Sequence, residues 1–243
     1  MSLSISVRKY IRWLPEPASE PTTTIVLTSP ERRFVDIRIL KSTDADPADE
    51  RAQPVLHASR IDWAFAGFSS SELQTGADGS QFVHSTWKHW VSSRVADADG
   101  VVDEGDMFPQ ADGTTLEKGK MVNPATGRET EYEEVWEDPK PTTTTEGDGE
   151  KVMCAVLQLH DDAHQARGMV VRVGQFCQGV LRIGESMSLE RWQWKSHGGW
   201  KRQVRIGDQW LPCGVLLDGQ RVRMGGEVKH GEFSWRVVEL SES

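Results

Sequence analysis

Long hydrophobic runs are missing from this chain of 243 residues. No stretch approaches the roughly 18 apolar residues of a membrane span, so none is expected. The N-terminus, MSLSISVRKYIRW, carries charges where a signal peptide needs its apolar segment, so no secretory leader is expected either. Cysteine is scarce. Cys154, Cys177 and Cys213 share no C-x-x-C spacing, and an odd number on strand-like segments reads as buried, reduced thiols. The single asparagine, Asn123, precedes a proline, which leaves no N-x-S/T acceptor for a glycan. Together these shortages point to the cytosol or nucleus.

Basic clusters are lacking too. Between Asp97 and Glu150 there are 16 acidic and 4 basic residues, while the rest of the chain is close to neutral. Without a concentrated Lys/Arg face, and with an acidic centre that repels phosphate, nucleic acid is not expected as a partner. Motifs of catalysis are equally thin: there is no G-x-S-x-G elbow and no phosphate-binding glycine loop. His160-Asp161-Asp162-Ala163-His164 holds two histidines, but the general-base glutamate of H-E-x-x-H and a third ligand are missing, so it reads as a solvated loop. His84 and His89 have odd spacing and face opposite ways on one strand. No catalytic residue, metal site or cofactor is assigned.

What is present is strand. Arg33 to Leu40 alternates, with Val35, Ile37 and Ile39 on one face and Asp36 and Arg38 on the other. Ile61 to Gly67 and Val83 to Val91 alternate likewise, and Thr24–Thr28, Thr114–Val122 and Tyr132–Trp136 add shorter candidates. Asp78-Gly79, Asp99-Gly100, Asp112-Gly113 and Pro124 to Gly127 supply hairpin turns between them. Residues 139–150 hold prolines, threonines and acids with nothing to bury, and read as a linker. Beyond it come seven or eight further short runs, among them Gln209–Leu217 and Gln220–Met224, spaced as in a sandwich or an up-and-down barrel. No helical stretch stands out.

Ten tryptophans against two tyrosines make the aromatics informative. Trp63 and Phe65 share a strand face, Trp192 and Trp194 another, and Trp87, Trp210 and Trp235 lie on neighbouring runs. In a barrel of about eight strands such side chains either plug the interior or line a pocket for one small ligand. As ligand-binding candidates we take Trp63, Phe65, Trp87, Trp192, Trp194, Trp210 and Trp235. Glu131, Glu133, Glu134, Glu137 and Asp138 crowd one strand and its end, and are the candidates for meeting a basic partner. A paired-carboxylate site is conceivable there, but a wet strand face is the commoner cause of such a run.

Asp103-Glu104-Gly105-Asp106-Met107-Phe108-Pro109-Gln110, Asn123-Pro124-Ala125-Thr126-Gly127 and Tyr132-Glu133-Glu134-Val135-Trp136 resemble the fungal Hri family, named for interaction with a casein-kinase-I homologue. Arg33 to Arg38 and Asp62 to Gly67 fit the same pattern. The resemblance implies two tandem lipocalin-like antiparallel β-barrels, a cytoplasmic and nuclear location, and association with a kinase; it supplies no catalytic residue.

The expectation is therefore an all-β chain: a barrel over residues 1–138, a linker over 139–150 and a second barrel over 151–243, with indoles inside and acid displayed outside. The leading function is a non-enzymatic interaction protein that meets a casein-kinase-I homologue through its acidic segment. The alternatives are a carrier of a small apolar ligand in a barrel, and a lipocalin-like isomerase or cyclase.

Overall fold

The structure is a computed structural model that describes residues 3–42, 55–144, 151–218 and 222–242. Its first half is a closed barrel. Strands β1 (Ser4–Trp13), β2 (Thr22–Thr28), β3 (Arg33–Leu40), β4 (Ile61–Thr75), β5 (Gln81–Ser92), β6 (Val102–Pro109), β7 (Thr115–Asn123) and β8 (Arg128–Glu137) pair in chain order, and β8 closes on β1. Every pairing is antiparallel, the lipocalin-like up-and-down arrangement that leaves no free edge. The hairpins form where turn chemistry placed them. Asp112 accepts the Thr114 main-chain N–H at 3.0 Å, and Gly113 takes the left-handed φ of 85° that the turn requires.

The second half does not close, which corrects the expectation of a tandem barrel. Strands β9 (Met153–Asp161), β10 (Ala166–Val173), β11 (Phe176–Ile183), β12 (Ser186–Lys195), β13 (Gly199–Ile206), β14 (Glu227–His230) and β15 (Phe233–Glu242) form one sheet in the order β13-β12-β11-β10-β9-β15-β14. The strand expected over Gln209–Leu217 is instead a short helix, α1 (Cys213–Leu217), which starts after Pro212, a residue with no N–H for a ladder. The run expected over Gln220–Met224 is no strand at residues 222–224, and residues 220 and 221 lie outside the described ones. Strand rhythm is the same in an open and a closed sheet, so spacing alone does not separate them.

Both faces of this open sheet are covered. Strands β10 and β11 are buried almost throughout. On one face Val156, Met169, Val171 and Val180 pack against Ile5, Leu27, Val35 and Ile37 from the barrel's outer wall. On the other face Leu157, Val170, Leu181 and Trp235 pack with Leu211, Cys213 and Leu216 around α1. Polar bonds cross the first interface as well. Gln178 donates to the main-chain carbonyls of Ile25 and Val35 at 2.8 and 2.7 Å, and Arg191 donates to that of Ile37 at 2.6 Å.

This packing fixes the barrel's polarity. The apolar members of β3, Val35, Ile37 and Ile39, point out into the shared core, so Phe34, Asp36 and Arg38 must point in. The described part of the linker lies along the second sheet: Gln175 accepts the Thr142 main-chain N–H at 2.7 Å, and Arg172 donates to the Thr144 hydroxyl at 2.6 Å. Residues 145–150 lie outside the described residues.

Candidate functional site: the barrel interior

The barrel encloses a cavity of about 110 Å³. Its apolar lining is Val26, Phe34, Phe65, Trp87, Met107 and Met121. Among these stand Asp36, Arg38, Asp103, Glu117 and Tyr132, Asp36 being the cross-strand partner of Phe65, with exposed Asp138 and half-buried Ser6 and Thr115 at one end of the barrel. Alternation explains the membership. Asp36 and Arg38 are i and i+2 on β3, as are Thr115 and Glu117 on β7 and Tyr132 and Glu134 on β8, so each pair projects into the same lumen.

Charges taken from water need counter-charges, and nearly all have them. Arg38 donates from Nε and Nη2 to Asp36 Oδ2 at 3.0 and 2.9 Å, and from Nη1 to Glu134 Oε1 at 3.1 Å. Arg8 reaches the same Glu134 oxygen and also binds Glu20 at 2.8 Å and the Thr22 hydroxyl at 2.8 Å. Against the burial that disfavours its charge, Asp36 and Glu134 hold the Arg38 guanidinium well above its ordinary range. Burial pushes the Asp36 carboxyl up, opposed by Arg38. Two atoms are left over: Asp36 Oδ1, and His89 Nδ1 on the ring stacked against Phe65, are buried with no hydrogen-bond partner.

Glu117 is a strongly perturbed carboxyl of the lumen. Burial first, and the neighbouring Glu134 second, push it up to about 8, against donated bonds from the Tyr132 hydroxyl at 2.7 Å and the Trp136 indole N–H at 2.9 Å. It therefore holds its proton at neutral pH. Two strand glycines make room for this pair. A Cβ on Gly105 would lie 2.9 Å from the Glu117 side chain, and one on Gly119 would collide with the Tyr132 hydroxyl.

Of the aromatic candidates, the cavity gathers two, Phe65 and Trp87. Trp63 sits behind them, 4.4 Å from Phe65 between ring centroids, with the Arg94 guanidinium 4.0 Å from its ring. The other four belong to the second sheet and share no pocket with these. Trp235 is buried beside α1, Trp192 donates to Glu190 at 2.7 Å, Trp194 stands edge-on to Trp200, and Trp210 is 51% exposed between Arg202 and Arg205.

The acidic candidates are split between the two sides of the wall. Glu131, Glu133 and Glu137 face out, where Arg12 pairs with Glu133 at 2.8 Å and Lys9 with Glu137 at 2.9 Å. Glu134 faces in and is 1% exposed. Asp138 lines the cavity end and accepts from the Ser6 hydroxyl at 2.6 Å. The interior thus holds acid as well as indole, and the acidity of the central segment is only partly on display. Sequence reasoning passed over Asp36, Arg38, Glu117 and Tyr132 as site residues; the signal that marks two of them is a glycine in mid-strand, at 105 and 119.

His160 and His164 are exposed, each bonded to an aspartate at 2.9 Å. Among the described residues no group of three or more His, Cys, Asp or Glu is arranged to hold a metal ion. All three cysteines are buried and free, and burial chiefly pushes the Cys154 thiol up to about 12. Among the described residues no helix is long and apolar enough to cross a membrane.

The crystal structure of an uncharacterized protein, YLR301w, from Saccharomyces cerevisiae is similar with a TM-score of 0.72 at 17% identity, covering 99% of this chain and 100% of that one. At that identity the likeness shows the fold. No curated protein matches the chain. The family model described as Protein HRI1 matches residues 4–239, nearly the whole length, and the chain belongs to the HRI1 family.

Proposed function

We propose that this protein binds a small amphipathic molecule, about one ring in size, inside its barrel. The observation that carries the reading is the mixed lining of the cavity: Phe34, Phe65, Trp87 and Met121 stand beside polar groups, among which Asp36 keeps a buried oxygen without a partner. Pockets that recognise small molecules have this make-up, mostly apolar with a few fixed polar groups. The volume sets the upper size: at about 110 Å³ it is smaller than the roughly 150 Å³ dry cavity that accepts benzene, so a single ring fills it and any polar arm extends toward the end at Asp138. At about 0.7 kcal/mol per non-hydrogen atom, between the roughly 0.3 and 1.5 that bound small ligands, a ligand of that size gains about 5–6 kcal/mol, a dissociation constant of about 100 μM.

The kinase-partner reading draws less support. Of the outer acids proposed to meet a basic surface, Glu133 and Glu137 are already paired with Arg12 and Lys9, and Glu134 is inside. An isomerase reading built on Glu131, Glu133, Glu134 and isolated histidines draws less too: the three glutamates do not converge on one space, and of the histidines His89 bonds Asp103 at the cavity.

Isothermal titration with benzyl alcohol tests the proposal on the whole chain. Saturable binding is expected, and Val26→Phe, which fills the cavity from β2, should abolish it while leaving the melting temperature within a few degrees. Equal binding by the Val26→Phe variant, or none by the natural chain, overturns the reading.

A further inference from the structure

The cavity wall also specifies the polar group of its ligand, an inference that rests on the binding reading above. Its bonded charges are unequal. Arg38 is the cation on the wall, against the Asp36 carboxylate bonded to it; behind them Arg8 pairs with Glu20, and Glu134 bonds both guanidiniums. Asp103 adds a further carboxylate to the cavity wall, bonded to His89 Nε2 at 2.9 Å, and Asp138 stands at one end. Arg94, the remaining guanidinium near Trp63, is matched by Asp62 at 3.7 Å. An anion entering this space meets more carboxyls than cations.

Hydrogen-bond accounting points the same way. Asp36 is 3% exposed and lines the cavity; Arg38 satisfies Oδ2 twice, and Oδ1 not at all. A buried acceptor without a donor is costly, so the group that completes it must bring an N–H or O–H. Beside Asp36 stand the rings of Phe34, two residues back on β3, and Phe65, its cross-strand partner, with Trp87 beyond, and ring faces attract a positive charge. Phe65 already has a guanidinium, that of Arg38, 5.6 Å from its centroid.

We propose that the barrel selects small organic amines in their cationic form, a single apolar ring lying among Phe34, Phe65 and Trp87 and the ammonium group donating to Asp36 Oδ1. Binding needs no covalent step. Carboxylates and fatty-acid-like anions are disfavoured by the same carboxyls, and a neutral alcohol donates to Oδ1 without the help of charge.

Isothermal titration of the full chain at pH 7 with benzylamine, benzyl alcohol and benzoate, matched in ring and size, tests this. Benzylamine should bind about tenfold more tightly than benzyl alcohol, the usual scale for one charge-assisted bond, and benzoate more weakly than either. Asp36→Asn, checked for folding by its melting curve, should bring benzylamine to within about twofold of the alcohol, on the same accounting of one lost bond. Benzyl alcohol or benzoate binding as tightly as benzylamine to the natural chain overturns the amine assignment and leaves the binding reading standing. Failure of all three to bind overturns both. The comparison on the natural chain decides even if Asp36→Asn does not fold, and an unchanged preference in a folded Asp36→Asn removes Asp36 as the recognising group.

Discussion

Arg38 on β3 and Glu134 on β8 meet across the barrel lumen at 3.1 Å, 96 residues apart in sequence. Arg8 reaches the same glutamate oxygen from β1, so one carboxylate holds two buried guanidiniums.

Removing that carboxylate leaves two charges in the lumen short of a partner. Glu134→Ala should cost about 3–5 kcal/mol in urea unfolding, the range for breaking a buried ion pair from one side. Its chain neighbour provides the control. Glu133 pairs with Arg12 on the outer face, where Arg12 is 41% exposed, and Glu133→Ala should cost less than about 1 kcal/mol. Similar losses for the two variants would contradict the inside–outside assignment of β8.

Glu117 makes stability depend on pH with a definite sign. Unfolded, it ionises near its ordinary 4.5; folded, it keeps its proton up to about 8. Between those values the folded state binds more protons, so this group's contribution falls as pH rises from about 4.5 to about 8 and is level above. The slope is at most about 1.4 kcal/mol per pH unit, one proton's worth. Glu117→Gln should flatten the decline in a series of urea midpoints across that window; an unchanged slope would show that Glu117 titrates normally in the folded chain.

The two halves should not separate. Ile5, Leu27, Val35 and Ile37 cover the barrel's outside only because the second sheet lies over them. Cut free, residues 1–144 would expose that apolar wall and should associate or precipitate. In the whole chain, far-ultraviolet dichroism and tryptophan fluorescence should report coincident thermal transitions. Two well-resolved transitions would contradict a shared core.

Gly119 has no turn to make. It sits in the middle of β7 because the Tyr132 ring occupies the place of its side chain. Gly119→Ala should therefore destabilise the fold by about 1–3 kcal/mol, as overpacking does, in a urea melt; a neutral or stabilising outcome would mean that Tyr132 has room to move.

Much of the barrel was legible because alternation and turns are local. Val35, Ile37 and Ile39 separate from Asp36 and Arg38 by period two, and Asp-Gly pairs mark three of the bends. Which face is the inside is not local. In an isolated barrel the aliphatic face of β3 would turn in; here the second sheet claims it, and the charged face fills the lumen. The same long-range fact hides the openness of that sheet. Strands β9 to β11 carry apolar residues on both faces, a pattern that fits a layer between two others better than a barrel wall, yet the spacing of their turns is that of either. The site was half visible: Phe65 and Trp87 were picked by their aromatic character, whereas Glu117 and Tyr132 depend on cross-strand neighbours at Gly105 and Gly119 that only register brings together.

The central proposal is that the barrel lumen holds a small molecule. The most direct test is a two-dimensional ¹⁵N NMR titration that follows the ten indole N–H signals as benzyl alcohol or benzylamine is added. Trp87 and Trp136, which line the cavity, should shift saturably, while Trp192, Trp194, Trp200, Trp210 and Trp235 stay in place. Shifts confined to the second sheet's indoles, or no shift at millimolar ligand, would contradict it.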